Sequence, residues 1–300
     1  MKNVPAVFGE VLYDCFEDGS RVLGGAPFNV AWHLQAFGCS PRFISRVGDD
    51  AMGHAIREDM QRWGMNTDWL QQDASHPTGE VRVTLVDGQP EYDIVPGRAY
   101  DYIDADAIPA LSPSVIYQGT LGLRQPESAA ALEALLARHP APVFLDVNLR
   151  PPWWDMALVR RQLDHAQWVK INDEELQTVM ESDADLKTMA SALMERHGLE
   201  RIIVTLGANG AFALDDRGEL TESGPMARVP VVDTVGAGDA FASVCILGML
   251  HDWPLSSIMD RAQRFASLIV GQRGATLQDK TAYRPLLNDW QLDAQPETEA

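Results

Sequence analysis

Residues 233–241, DTVGAGDAF, combine two glycines, a carboxylate and the start of an apolar helix. Gly236 and Gly238 remove side chains where a loop turns into a helix predicted over residues 240–250, so the first backbone N–H groups are open to an anion. Asp239 lies in that first turn, where the helix dipole favours an ionised carboxylate that can accept a proton from a hydroxyl. A packing turn followed by an ordinary helix-start carboxylate is the alternative. On the functional interpretation, residues 233–241 form an anion site beside a general base.

The composition bounds the class of protein. With 300 residues, of which 46% are hydrophobic, the chain can bury a full core. A net charge of -19 argues against nucleic-acid or anionic-membrane partners, which are bound through Lys and Arg. Cys15, Cys39 and Cys245 are odd in number and widely separated, which is typical of reduced thiols. The longest apolar stretch, residues 240–250, is too short to span a bilayer. We therefore expect a cytoplasmic protein with no nucleic-acid or membrane partner.

The elements that must position these residues follow an α/β pattern. Short apolar runs alternate with helical stretches in the C-terminal two thirds of the chain, at residues 115–117, 143–147, 168–171 and 202–206. Continuous runs of this kind indicate a parallel sheet covered on both faces. Polar residues and glycines follow the ends of the last three runs: Asp146, Asn148 and Arg150, then Asn172 and Glu175, then Thr205, Gly207 and Gly210. Since open parallel sheets bind ligands at that edge, these residues are predicted to converge on one site.

A second group of polar residues lies near the N-terminus. An apolar strand over residues 4–8 leads to Asp14 and then to Gly24 and Gly25, after which a helix is predicted over residues 27–37. Asn29 lies in the first turn of that helix, where its amide can bind a substrate hydroxyl; a capping or solvated role is the alternative. His33 follows one turn later and is predicted to be a core histidine.

A hairpin interrupts the alternation of helices and strands. Residues 80–86 and 92–95 show strand patterns on either side of the turn Asp87-Gly88. A small sheet standing off the main body would fit this pattern. Beyond it, no repeat or long linker divides the chain.

These motifs together resemble the PfkB, or ribokinase-like, family of carbohydrate kinases. Residues 233–239 match its D-T-x-G-A-G-D signature, and residues 24–31, GGAPFNVA, resemble its sugar-binding motif. The resemblance implies a three-layer α/β/α fold with a mostly parallel central sheet and a small β-sheet lid. It places the lid near residues 11–24 and 79–98, within a single kinase domain over residues 1–290, followed by a polar tail over residues 291–300.

The resemblance also implies roles for individual residues. Asp239 would be the general base, and the amides of Gly236, Ala237 and Gly238 would hold the transferring phosphoryl group. The sugar would be held by Asp14, Gly25 and Asn29. The implied activity is ATP-dependent phosphorylation of a sugar hydroxyl.

The nucleotide side of the site rests on weaker motifs. Asn172 and Glu175 resemble the family's N-x-x-E motif, which implies Mg²⁺ held largely through water, although an acidic helix start is common for dipole reasons alone. Thr205, Gly207 and Gly210 resemble its nucleotide-phosphate turn, to which Gly238 would contribute; the same glycines could merely reverse the chain. Arg150 would contact phosphate or substrate through its forked donors, or else form a surface ion pair.

The identity of the substrate is less constrained. The segment DVNLR at residues 146–150, followed by PPWW, resembles fructokinase-type members and favours fructose. Ribose, 2-keto-3-deoxygluconate and nucleosides serve other members of the family. The Trp153–Trp154 pair could stack on a ligand, but filling a hydrophobic corner is more common. Arg98 lies where some relatives place an arginine that reads the substrate.

Two alternative functions and two additional features, a monovalent cation and a homodimer, concern the whole protein. A noncatalytic sugar or nucleotide sensor on the same fold would need no intact base. A dehydrogenase is disfavoured because Phe241 stands where a dinucleotide fingerprint needs a small residue. A monovalent cation such as K⁺ would bind near Asp233 and Gly274, and an exposed lid edge could pair two subunits into a homodimer.

Overall fold

The structure, a computed structural model, describes residues 4–86, 89–224 and 230–292. Within these residues the strands form two β-sheets. The large sheet contains β1 (Pro5–Phe8), β4 (Arg42–Gly48), β5 (Leu70–Asp73), β8 (Val115–Gln118), β9 (Val143–Asp146), β10 (Trp168–Asn172), β11 (Arg201–Thr205), β12 (Ala211–Asp215) and β13 (Leu220–Ser223). The small sheet contains β2 (Leu12–Phe16), β3 (Arg21–Gly24), β6 (Gly79–Val86) and β7 (Gln89–Ile94).

The large sheet is mostly parallel, as expected. Its strand order is β13-β12-β11-β10-β9-β8-β1-β4-β5. Every neighbouring pair from β5 to β11 is parallel, whereas β12 and β13 are joined antiparallel at one edge. The carboxyl ends of β1, β8, β9, β10 and β11 therefore lie side by side.

Helices cover both faces of this sheet: α1 (Ala26–Ala36), α2 (Ala51–Arg62), α3 (Pro126–Arg138), α4 (Met156–His165), α5 (Asp173–Met180), α6 (Leu186–His197), α7 (Ala237–Leu250), α8 (Leu255–Val270) and α9 (Arg284–Trp290). Adjacent strand residues point to opposite faces. On β9, Phe144 joins the core cluster that contains α1, α7 and α8, whereas Leu145 joins the cluster that contains α5 and α6. The three-layer α/β/α arrangement predicted from the sequence is confirmed.

The small sheet lies against the carboxyl edge of the large one. Its strand order is β3-β2-β6-β7, with β2 and β6 parallel. Leu12, Val81 and Val83 lie on one face and pack with Tyr100 and Leu121, which belong to the loops that follow β7 and β8. The four strands fall within the two segments predicted to form a lid.

Some predicted boundaries are wrong. Helix α7 begins at Ala237 rather than residue 240, because Gly236 serves as its N-cap. Asp14, which follows the first strand in the sequence, lies in a second strand, β2 of the small sheet. The predicted turn Asp87-Gly88 and residues 293–300 of the predicted tail lie outside the described residues.

Candidate active site

The N-terminus of α7 forms the centre of the site. Gly236 is its N-cap and has a φ of 79°, in the left-handed region that favours glycine. A β-carbon at this position would also overlap the backbone and side chain of Ala275. Because the first amides of a helix have no intrahelical acceptors, N–H groups of this turn can bind an anion, while the Ala237 N–H donates to the Thr234 carbonyl oxygen at 3.3 Å.

Asp239 follows in the first turn and contacts α1. Asn29 donates a hydrogen bond from Nδ2 to Asp239 Oδ2 at 2.8 Å. Burial raises the pKa of Asp239 to about 6, while the hydrogen bond from Asn29 and the charge of Lys170 act in the opposite direction. The sequence argument from the helix dipole predicted a carboxylate held in its ionised form, whereas burial favours the protonated form and raises the pKa of Asp239. Asp239 is still mostly ionised at pH 7.

Lys170 lies directly below this turn and was not predicted from the sequence. It comes from β10, is 6% exposed, and places Nζ 2.9 and 3.0 Å from the two carboxylate oxygens of Asp146. A β-carbon at Gly238 would lie 3.3 Å from Nζ, so the ammonium group is next to the helix N-terminus. Burial alone would lower the pKa of Lys170, but Asp146 raises it, and the side chain is charged. The signal for this residue was a lone lysine within the apolar run 168–171.

Glu10 is a second buried ionisable residue that the sequence analysis missed. It follows β1 and is 2% exposed. Its Oε2 has no hydrogen-bond partner among the described residues. Burial raises the pKa of Glu10 to about 7, opposed by a backbone hydrogen bond and reinforced by the charge of Asp239. The only sequence signal was a glutamate that ends an apolar strand.

The residues predicted to bind a sugar are linked to Glu10 and Asp239 by packing, hydrogen bonding and charge. Gly25, with a φ of 112°, caps α1, and a β-carbon there would lie 2.7 Å from the Glu10 carbonyl oxygen. Burial raises the pKa of Asp14 to about 6, opposed by Arg150. The Arg150 charge also acts on Glu10 and Asp239. The structure thus brings Asp14, Gly25, Asn29, Arg150 and Asp239 together from four separate segments.

Helix α5 organises the predicted metal residues through its capping hydrogen bonds. Asn172 Oδ1 accepts from the Glu175 N–H at 2.8 Å, and Glu175 Oε2 accepts from the Asn172 N–H at 3.0 Å. Glu175 Oε1 accepts from the Leu149 N–H at 2.8 Å, which ties down the loop that carries Arg150. Within the described ranges, no cluster of three His, Cys, Asp or Glu side chains forms a cation site. The remaining lone pairs of Glu175 fit a hydrated Mg²⁺ held through water.

The turn after β11 lies beside α5, since Thr205 pairs in register with Asn172. Gly207 opens an exposed 3-10 turn, Gly207–Asn209, with a φ of 55°. Gly210 has a φ of 94°, and a β-carbon there would overlap the Ser223 and Gly224 carbonyl oxygens. Close packing against the end of β13 therefore requires glycine at residue 210. At Gly207, in contrast, no neighbour lies within 4 Å of a β-carbon, so packing does not require glycine there.

Arg98 does not face the cleft. Its Nη2 lies 2.6 Å from Glu80 Oε2. Glu80 pairs in register with Tyr13, one residue before Asp14, so it projects from the opposite face of the small sheet. Arg98 is thus separated from the Asp14 side of the sheet and engaged in an ion pair.

The aromatic residues near the site are also accounted for. The Trp153 ring lies 4.7 Å from the Arg124 guanidinium, and Trp154 packs against the core beside α5 and α6. His33 is fully buried between Tyr283 and Ala275. None of the helices in the described ranges combines the length and apolarity needed to cross a bilayer.

The architecture and site define an α/β phosphotransferase: an open parallel sheet whose carboxyl edge carries a glycine-capped helix N-terminus, with a carboxylate in its first turn and an ammonium group below it. Residues 8–282 match the model of the pfkB family carbohydrate kinases. The chain belongs to this family and is a carbohydrate kinase.

Individual relatives agree with this assignment. The chain is 29% identical to a fructokinase of Escherichia coli over 293 residues, covering 90% of this chain and 94% of that protein. It is 24% identical to a 5-dehydro-2-deoxygluconokinase of Geobacillus thermodenitrificans, covering 90% and 88% of the two chains. The structure of a fructokinase with bound ATP from Xylella fastidiosa superposes with a TM-score of 0.86 at 22% identity, covering 97% of this chain and 100% of that one. The ribokinase-like fold is confirmed.

Proposed function

We propose that the chain transfers the γ-phosphoryl group of ATP to a hydroxyl of fructose. The observation that carries this proposal is the placement of Asp239. Its carboxylate lies in the first turn of α7, hydrogen-bonded to Asn29, beside the amides of the glycine turn and above Lys170. A base, an anion site and a cation thus meet at one point. The likeness to fructokinases over most of the chain supports fructose as the acceptor.

In this mechanism the oxygen of the substrate hydroxyl attacks the γ-phosphorus, and Asp239 accepts the proton that this hydroxyl loses. The bond between that phosphorus and the β,γ-bridging oxygen breaks, and ADP leaves. Asn29 fixes the orientation of the carboxylate. The amides of Gly236, Ala237 and Gly238, with Lys170, stabilise the charge on the transferring phosphoryl oxygens. Phosphoryl transfer depends mainly on positioning and charge stabilisation of this kind.

The nucleotide would lie along the ends of β10 and β11. Asn172, Thr205, Gly207, Gly210 and Gly238 border this part of the cleft, and Arg150 supplies a cation at its rim. Mg²⁺, held through water near Glu175 and Asn172, would neutralise the charge on the ATP phosphates. These contributions are needed because the chain has a net charge of -19.

The charges around the cleft favour a neutral acceptor. Asp14 and Asp239 are among the residues proposed to bind the acceptor, and carboxylates close to a bound sugar would repel an anionic one. Arg98 is paired with Glu80 on the other face of the small sheet and is not free to bind a carboxylate substrate. A ketose or other uncharged sugar fits this site better than 2-keto-3-deoxygluconate.

A second candidate is a kinase of sugar acids. The likeness to a 5-dehydro-2-deoxygluconokinase supports it, and the exposed Arg150 is a cation that could bind a carboxylate. ADP release from Mg-ATP should be measured with fructose, ribose, 2-keto-3-deoxygluconate and nucleosides in parallel. We expect kcat/KM to be at least about tenfold higher for fructose than for any acid. A preference for an acid would establish the second candidate, and ATP binding without turnover of any acceptor would favour a sensor.

Other features of the working enzyme are part of the proposal. Residues 1–290 would act as one kinase domain in the cytoplasm, where ATP and free sugars occur together. Asp233 accepts from the Gly274 N–H at 3.1 Å, so the two segments predicted to bind K⁺ do meet. Rates in potassium and tetramethylammonium chloride would show whether a monovalent cation is required. Sedimentation would show whether the small sheet pairs two chains into a homodimer.

A further inference from the structure

Helix α1 reaches the segment 275–277 through two buried side chains. His33 Nε2 lies 3.1 Å from the Ala275 carbonyl oxygen, and Trp32 donates from Nε1 to the Leu277 carbonyl oxygen at 2.9 Å. Both side chains are almost completely buried. The same helix carries Asn29, which holds Asp239. One helix therefore contacts the proposed base on one side and the segment 275–277 on the other.

The hydrogen bonds of His33 have a defined direction. A carbonyl oxygen only accepts, so Nε2 carries the proton and donates to Ala275, and Nδ1 accepts from the Tyr283 hydroxyl at 2.7 Å. The Tyr283 oxygen in turn accepts from the Leu277 backbone N–H. Burial lowers the pKa of His33 to about 3, so the ring is neutral and this arrangement persists at neutral pH. His33 and Tyr283 thus fix both ends of the segment 275–277.

Ala275 is the residue against which the glycine turn rests. A β-carbon at Gly236 would overlap the Cβ, Cα and carbonyl oxygen of Ala275, so the two residues pack with no room for a side chain at Gly236. The loop before Gly236 is held by the end of α8, which precedes Ala275 in the chain. The Val232 and Asp233 N–H groups donate to the Val270 carbonyl oxygen at 3.0 and 3.2 Å. A displacement of Ala275 would therefore move the N-cap of α7 and the amides that follow it.

We propose that His33 is a positioning residue for phosphoryl transfer, which fixes the N-terminus of α7 by hydrogen-bonding the Ala275 carbonyl. The inference rests on the proposed function, because it assigns these amides to the transferring phosphoryl group. His33 does not touch the substrate. It acts through Ala275 and Gly236 on the geometry in which the amides stabilise the transition state.

The direct test compares two substitutions of His33. His33→Leu removes both hydrogen bonds and leaves the Ala275 carbonyl without its donor. We expect kcat to fall about tenfold or more, with KM for sugar and ATP within about twofold, because an interaction needed mainly in the transition state is weakened. His33→Gln returns an N–H donor toward Ala275 and should recover most of the lost kcat. A Gln variant no better than Leu would overturn the proposal.

Phe37→Leu provides a matched control for loss of packing. Phe37 is buried at the end of α1 and contacts the same two rings as His33, with ring centroids 5.0 Å from Phe265 and 5.3 Å from Tyr283. This variant should lose thermal stability but keep kcat within about twofold. If Phe37→Leu and His33→Leu lower Tm equally and also lower kcat equally, the effect is general core damage and the proposal is wrong.

Tyr283→Phe keeps the test decisive if His33→Leu does not fold. It removes only the hydroxyl, so His33 Nδ1 and the Leu277 N–H each lose a partner. We expect a fall in kcat of about threefold or more with KM unchanged; wild-type kcat in this variant would contradict the proposal. All ratios are taken with whichever acceptor the wild-type enzyme turns over best, so a failure of fructose alone tests the proposed function and leaves the His33 test intact.

Discussion

Asp239 sits in the first turn of α7, where a helix dipole alone would lower the pKa of a carboxyl group. Burial instead raises this pKa to about 6. A carboxylate with a pKa near 6 is a stronger base than an exposed aspartate and is still ionised at neutral pH. The raised pKa therefore suits Asp239 to accept a proton from an alcohol.

The raised pKa predicts the pH dependence of the reaction. The base must be ionised, so kcat/KM should be level between about pH 7 and 8 and fall about tenfold per pH unit below about pH 6. An aspartate with its ordinary pKa would retain activity to about pH 4. The pH profile with saturating Mg-ATP measures this directly. Glu10→Gln should show the same fall in kcat/KM at acidic pH as the wild type. A wild-type profile that falls only below pH 5 would contradict the assignment of this limb to Asp239.

Glu10 is predicted to reduce the stability of the enzyme. Because burial raises its pKa to about 7, the folded chain retains a proton that the unfolded chain releases between about pH 4.5 and 7. The free energy of unfolding therefore falls as pH rises through this window. Glu10→Gln should stabilise the fold by about 1–3 kcal/mol at pH 8 and give no gain at pH 4.5. Denaturation at both pH values tests this. Glu58 is exposed, so Glu58→Gln is a control that should leave the free energy of unfolding unchanged at both pH values.

At the scale of elements, α5 shows how one capping interaction fixes a second segment. The carboxylate of Glu175 holds its own helix start and the Leu149 N–H, so the loop with Arg150 is tied to β10. The N-x-x-E pattern was interpreted from the sequence as a metal motif. The structure adds a capping role that the same two residues fulfil without a metal.

Glu175→Gln separates these two roles. The amide nitrogen of glutamine cannot accept a hydrogen bond, so one of the two backbone N–H groups loses its partner. We expect a loss of about 1–2 kcal/mol in the free energy of unfolding in EDTA. The same substitution at the exposed neighbour, Glu174→Gln, should lower the free energy of unfolding much less. If Glu175 also acts on the metal, its variant alone will need more Mg²⁺ for half-maximal rate; equal Mg²⁺ dependence in the two variants would remove it from the metal site.

The elements were more predictable than the contacts between them. Continuous apolar runs identified β8 to β11, since a strand buried on both faces is apolar at most of its positions. The partners of Asp239 were not predictable in the same way: Asn29 lies 210 residues away, and Lys170 looks like a stray charge within an apolar run. Glu10 and Arg98 show the same limit, because their burial and their partners depend on tertiary packing.

At the scale of the whole molecule, the net charge of -19 opposes the approach of ATP. The Debye length shortens from about 30 Å at 0.01 M salt to about 10 Å at 0.1 M, so salt screens distant acidic residues more than the cations inside the cleft. We expect KM for Mg-ATP to fall about twofold or more between about 0.01 and 0.15 M salt. The KM for fructose, which is neutral, is the internal control and should not change. A rise in KM for Mg-ATP would show that local positive charge dominates.

The central claim is that Asp239 is the base for phosphoryl transfer from ATP to a sugar. The most direct measurement is the single-turnover rate of sugar phosphorylation by wild type and Asp239→Asn, with fructose and Mg-ATP affinities measured on the same preparations. Asparagine keeps the shape of the side chain but cannot take the proton. We predict that the rate falls by at least about 10²-fold while both affinities stay within about threefold. An Asp239→Asn enzyme that retains most of its rate would contradict the account.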